Sequence, residues 1–169
     1  SKMRNIAEFK MKTDFYENVI FSSDTSKEIL FIAGILHEIG RLGRYLQSVS
    51  PHFKSLIELQ ENEKIEDLCH ATIGHKLLSN YSEINPKTLE IVSQHLEFND
   101  GSGIPRQLRN NRLSLYVQVT ILSNFYEEMI SIKQFGPQEA LAHCRQNGSK
   151  FNKYVLDALE RVVDHYLSD

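Results

Sequence analysis

Apolar residues return at every third or fourth position along almost the whole chain, and that spacing leaves little but helix for it to fold into. Ile29, Leu30, Ala33, Leu36, His37 and Gly40 form one such stripe, and Ile65, Leu68, Cys69, Thr72, Ile73, Lys76 and Leu77 form a second. Thr25 with Glu28 three residues later predicts a capping box that opens the first of these helices. Asn85 followed by Pro86 reads as a cap with proline at the first helical position, starting a helix that carries Leu89, Val92 and His95. Residues 113–132 predict a long, strongly apolar helix. Gly136-Pro137 ends it and starts another that runs to about Asn147-Gly148, and residues 151–167 form the last. Residues 3–21 are a weaker helix candidate. No alternation of strand length is present, and Asp100-Gly101 follows a helix rather than joining two strands. The expectation is all-α: a single domain over residues 1–169, built as one bundle of six or seven helices, with one unusual loop at 99–111.

The bulk numbers exclude several classes. A net charge of −3 gives no global attraction to nucleic acid or to an anionic membrane surface. The longest apolar runs, such as residues 29–36, are far too short to span a bilayer, and no apolar segment of signal-peptide type follows the N-terminus. Ser1 and Lys2 ahead of Met3 leave open that the chain is cut from a larger protein. Cys69 and Cys144 form no close pair, which predicts reduced thiols and a cytoplasmic setting.

Chemistry is concentrated in a few histidines. Of seven, His37, His70 and His95 fall on apolar faces of three different predicted helices. A single core histidine is usually a hydrogen-bonded packing residue, but three arriving from separate helices match the way metal sites are built in bundle cores. Glu38, directly after His37, puts an acid on an otherwise apolar face, where a cation is one way to balance it. His75 points elsewhere on its helix, and His52, His143 and His165, with no ligand-spaced neighbours, read as surface residues.

The motifs His37-Glu38-Ile39-Gly40-Arg41, His70-Ala71-Thr72-Ile73-Gly74, His95-Leu96-Glu97 through Asp100-Gly101-Ser102-Gly103-Ile104-Pro105, and Ser123-Asn124-Phe125-Tyr126-Glu127 occur in that order. Together they resemble the HD-GYP family, bacterial metal-dependent phosphodiesterases of the HD superfamily that open cyclic di-GMP. The resemblance implies an HD-type helical fold and a metal site at His37, Glu38, His70 and His95. It also exposes departures. Glu38 stands for the family's aspartate, Leu96 for the second histidine of a His-His pair, Asn124 for a late ligand aspartate, Ile104 for the signature tyrosine and Arg41 for a lysine; no histidine precedes His37. Leu96 can ligate nothing and Asn124 offers only a neutral carbonyl, so His37, Glu38 and Arg41 read as vestiges of a catalytic site. The implied cofactor is none, or one divalent metal (Mn or Fe).

Arg106, Arg109 and Arg112 recur every three residues after the loop, and Arg41 and Arg44 follow the His-Glu doublet, so both groups are expected near one mouth. In the family, basic residues here contact the dinucleotide's phosphates, which implies ligand contacts from Arg106 and Arg109, with Gly101 and Gly103 letting backbone amides approach an anion. The alternatives for this region are a solvated loop and, for Arg41, an ion pair with Glu38 in place of a metal. The favoured expectation is a catalytically impaired signalling or docking domain. Its expected partners are cyclic di-GMP, a diguanylate-cyclase-type domain or a second copy of the chain, with no nucleic acid and no membrane. Against it stand a divergent working phosphohydrolase and a metal-free cyclic dinucleotide receptor.

Overall fold

In the computed structural model, residues 24–43 and 69–167 are described. The helix expected at 3–21, together with Arg44, His52, Ile65 and Leu68, lies outside them. Among the described residues six α-helices occur: α1 Asp24–Leu36, α2 His70–Leu78, α3 Pro86–Gln94, α4 Leu115–Ser131, α5 Pro137–Gln146 and α6 Lys153–Leu167. Residues 39–43 are also helical, and two short 3₁₀ turns occupy Asn110–Arg112 and Gly148–Lys150. The described residues contain no strand, only an isolated antiparallel pairing of Asp100 with Arg109, in agreement with the all-α expectation. No helix among them is long and apolar enough to cross a membrane.

Local chemistry explains most boundaries. The Asn85 side chain accepts the amide of Lys87 at 2.8 Å, and Pro86 occupies the first turn, where its missing N–H costs nothing. The capping box at Thr25 is not formed: the helix begins at Asp24, so Thr25 lies one residue inside it and is exposed. Asn152 caps α6 instead, its Oδ1 accepting the amide of Tyr154 at 2.9 Å.

The core gathers around α4. Val117, Ile121 and Leu122 meet Ile29, Leu30 and Ala33 of α1, Ile91 of α3, Cys144 of α5 and Val155 of α6. Each large aliphatic side chain buried this way contributes roughly 1.5–3 kcal/mol. Polar links also cross the core: the hydroxyls of Ser26 and Tyr116 lie 3.0 Å apart between α1 and α4. Gln118 of α4 donates to the Leu113 carbonyl at 2.6 Å, and its Oε1 accepts Asn152 Nδ2 at 2.5 Å, tying the start of α4 to the start of α6. The thiols of Cys69 and Cys144 are free, and burial pushes that of Cys144 up to about 11, so it packs as a small hydrophobe.

Two backbone crossings position the site. A Cβ on Gly40 would stand 1.9 Å from the carbonyl oxygen of His70, so residues 39–43 meet the start of α2 backbone to backbone. Only glycine permits that approach, and it carries Glu38 up to His70. A Cβ on Gly103 would fall 2.3 Å from Cα of Glu97, so the loop lies directly on the segment that follows α3.

Candidate metal centre

The three histidines lie at helix ends rather than along helix faces. His37 follows the last residue of α1, His70 opens α2, and His95 is the C-cap of α3. Helix ends bring free backbone carbonyls, and two of the rings use them. His37 Nδ1 lies 2.8 Å from the Gly34 carbonyl and His95 Nδ1 lies 2.9 Å from that of Val92. A carbonyl can only accept, so in both rings Nδ1 carries the proton and Nε2 is the atom left to accept a hydrogen bond or to ligate an ion.

The Nε2 of His95 is 3.0 Å from that of His70, which is 3.3 Å from Oε2 of Glu38. The three donor atoms of Glu38, His70 and His95 all lie within 4.8 Å of one another. Ligands held at about 2.0–2.2 Å from a common ion are separated by about 3.3–3.6 Å in a tetrahedral site and about 2.8–3.1 Å between octahedral neighbours, so the 3.0 and 3.3 Å spacings and this donor set suit one divalent transition metal. His37 stands at the edge of the cluster. Its ring meets His95 edge-on at 5.1 Å between centroids, and its Nε2 is 3.9 Å from Oε1 of Glu38.

Burial of His95, 1% exposed, lowers its pKa to about 4 against the weaker opposing pull of its bond to Val92, so the ring is neutral at ordinary pH. Glu38 is partly buried. Burial alone would raise its carboxyl, but the hydrogen bond from Arg41 and the neighbouring positive charges outweigh it and hold the group below its usual range. Arg41 Nε bonds Glu38 Oε2, and Nη2 lies 3.4 Å from Oε1.

A cleft of about 290 Å³ opens beside His37 toward α4, where Ser123, Asn124 and Glu127 line it. Asn124 thus faces the same space as His37, but as an amide. Leu96 contributes its backbone only, its carbonyl accepting the Ile104 amide at 3.0 Å.

The loop is built differently from the expectation. Glu97, 0% exposed, accepts the amides of Arg106 at 2.7 Å and Leu108 at 2.8 Å on its two carboxylate oxygens. Asp100 accepts both the amide and hydroxyl of Ser102, which hold its carboxyl below the usual range, and Ser149 closes on its other oxygen at 3.1 Å. Gly101 has φ +82° and donates its amide to Phe98, and Gly103 is the close crossing already described. Turn geometry at Gly101 and the close crossing at Gly103 each call for glycine. Arg106 is exposed, its Nη2 lies 3.4 Å from Ser93 Oγ, and its charge adds to burial in lowering the pKa of His75. The Arg109 side chain lies against Gly101, and neither arginine lines the cleft beside His37. His143, expected at the surface, is half-buried and stacks on Phe135 at 4.7 Å.

Sequence reasoning missed Glu97 as the anchor of the loop and the Gly40 crossing. A glycine inside each of two consecutive motifs, Gly40 and Gly74, was the available signal for the second, and an acid between Leu96 and Phe98 for the first.

An HD-domain family model matches residues 21–155, and the chain belongs to the HD domain family. That membership accounts for the all-α, metal-dependent phosphohydrolase-like fold and for histidines and a carboxylate gathered at helix ends. No curated protein matches the chain.

Proposed function

We propose that this chain is a degenerate HD-GYP-like domain of cyclic di-GMP signalling, impaired as a hydrolase and serving as a signalling or docking module. The observation that carries the reading is the shape of the donor set. Glu38, His70 and His95 converge within 4.8 Å, which accommodates one ion, whereas two-metal hydrolysis needs ligands around two centres about 3.5–4 Å apart. The positions that would serve a second ion hold Asn124 and Leu96. Bound at Glu38, His70 and His95, a divalent ion would supply Lewis acidity; His37 stands beside them, and Glu127 puts negative charge in the cleft that a phosphodiester would have to enter.

The loop at 99–111 suits docking for the same reason that it does not suit catalysis. Its backbone is held by Glu97, while Ile104, Arg106 and Arg109 stand exposed on it. A preorganised loop loses little entropy on binding, and a diguanylate-cyclase-type domain is the partner this reading names.

The test combines elemental analysis with turnover. After loading with Mn²⁺ or Fe²⁺ and desalting, at most one ion per chain is expected, lost in His95→Ala, with no hydrolysis of cyclic di-GMP. Two ions per chain, or metal-dependent hydrolysis abolished by His37→Ala, overturns the reading.

A further inference from the structure

Glu38 is the one carboxylate in the donor cluster, so any ion held there depends on it for charge. Both of its oxygens already face a cation that belongs to the chain. Arg41 Nε bonds Oε2, the same oxygen that lies 3.3 Å from His70 and would turn toward an ion, while Nη2 approaches Oε1 at 3.4 Å. The tether is short and fixed. Glu38 and Arg41 are three residues apart, joined by the backbone hydrogen bond from Arg41 N to the Glu38 carbonyl at 2.9 Å, and Gly40 between them is locked against His70. Yet the Arg41 side chain is 67% exposed, so nothing encloses the guanidinium in this position.

We propose that Arg41 is a built-in competitor for the metal, covering the Glu38 carboxylate when the ion is absent and swinging out into solvent when the ion loads. The inference rests on the one-ion reading above. Two effects oppose loading in the same direction: the guanidinium must leave Glu38, and if it stays nearby it repels a like charge. An exposed pair three residues apart is weak, worth roughly a fivefold shift in an equilibrium at most, so the cap can be removed rather than shutting the site permanently. By reciprocity, an anion that drew Arg41 outward would tighten metal binding, and the metal would tighten that anion's binding by the same factor.

The experiment is a calorimetric titration of the full chain with Mn²⁺ alone, comparing wild type and Arg41→Gln at low and high salt, with thermal melts to establish that the variant is folded. The expected result is up to about fivefold tighter binding in Arg41→Gln, and a smaller gap between wild type and Arg41→Gln at high salt, where exposed charges are screened. Equal or weaker binding in Arg41→Gln overturns the competition and leaves the one-ion reading standing. Absence of Mn²⁺ binding in wild type and Arg41→Gln alike overturns both.

Discussion

The donor cluster and the loop at 99–111 are neighbours along the chain, yet they solve opposite problems. In the cluster, side chains converge and the backbone helps from behind: carbonyls of Gly34 and Val92 take the Nδ1 protons of two imidazoles and so leave Nε2 of each as the atom able to ligate. In the loop, one buried side chain, Glu97, serves the backbone, and the charged side chains of Arg106 and Arg109 face outward. The same residue types therefore mean different things. An acid beside a histidine is a ligand candidate at Glu38, and two residues after a histidine it is a structural clamp at Glu97. Burial marks the difference, since Glu97 is fully enclosed and Glu38 remains partly open to solvent.

The comparison is broken most forcefully at Glu97. Replacing it with alanine strands the amides of Arg106 and Leu108, each costing about 1–3 kcal/mol, so Glu97→Ala is expected to lose roughly 4 kcal/mol in urea denaturation. Glu97→Gln keeps one acceptor and is expected to lose about half as much. A Glu97→Ala protein as stable as wild type would show that the loop does not depend on this clamp.

Next in size is an acid dependence from the cluster. The folded His95 titrates at about 4 and an unfolded histidine near 6.5, so between those values the unfolded chain takes up a proton that the folded chain refuses. Stability of the metal-free protein is therefore complete above pH 6.5 and falls as the pH drops to 4, by about 3 kcal/mol for a shift of this size. Glu38, its carboxyl also lowered in the fold, pushes in the same direction at the acid end of that range. Denaturation midpoints measured in a chelator across this range should slope for wild type and flatten in His95→Gln. An unchanged slope in the variant would place the acid sensitivity elsewhere.

The smallest effect sharpens the contrast from the outside of the loop. Arg106→Ala and Arg109→Ala remove exposed side chains whose backbone is held independently, so each is expected to change stability by less than about 0.5 kcal/mol. A loss of several times that in either variant would mean that the side chains, not Glu97, hold the loop.

Much of this architecture was legible in the sequence. Apolar periodicity marked the helices, Asn85-Pro86 marked the start of α3, and the three histidines stood out because each fell where a helix was expected. These are local signals, set by neighbours within one or two turns. What failed was equally local in form but tertiary in cause. Thr25 and Glu28 have the spacing of a capping box, but the helix starts one residue earlier. Other details were simply not written locally: Gly101 serves a turn and Gly103 lies against Glu97, while Arg106 reaches toward Ser93 and Arg109 folds over Gly101.

By itself, then, the sequence determined that the chain is helical, that it carries the histidines and acid of an HD-type site, and that Leu96 and Asn124 cannot serve as metal-ligating histidine or aspartate. Only the tertiary structure decided that Glu38, His70 and His95 form one compact set with His37 beside it, that the Arg41 guanidinium lies on the Glu38 carboxylate, and that Glu97 belongs to the loop. The physical reason is distance. Periodicity is written by contacts within a helix, whereas ligand geometry depends on where separate helices cross, and here that crossing is set by Gly40 meeting the backbone of His70.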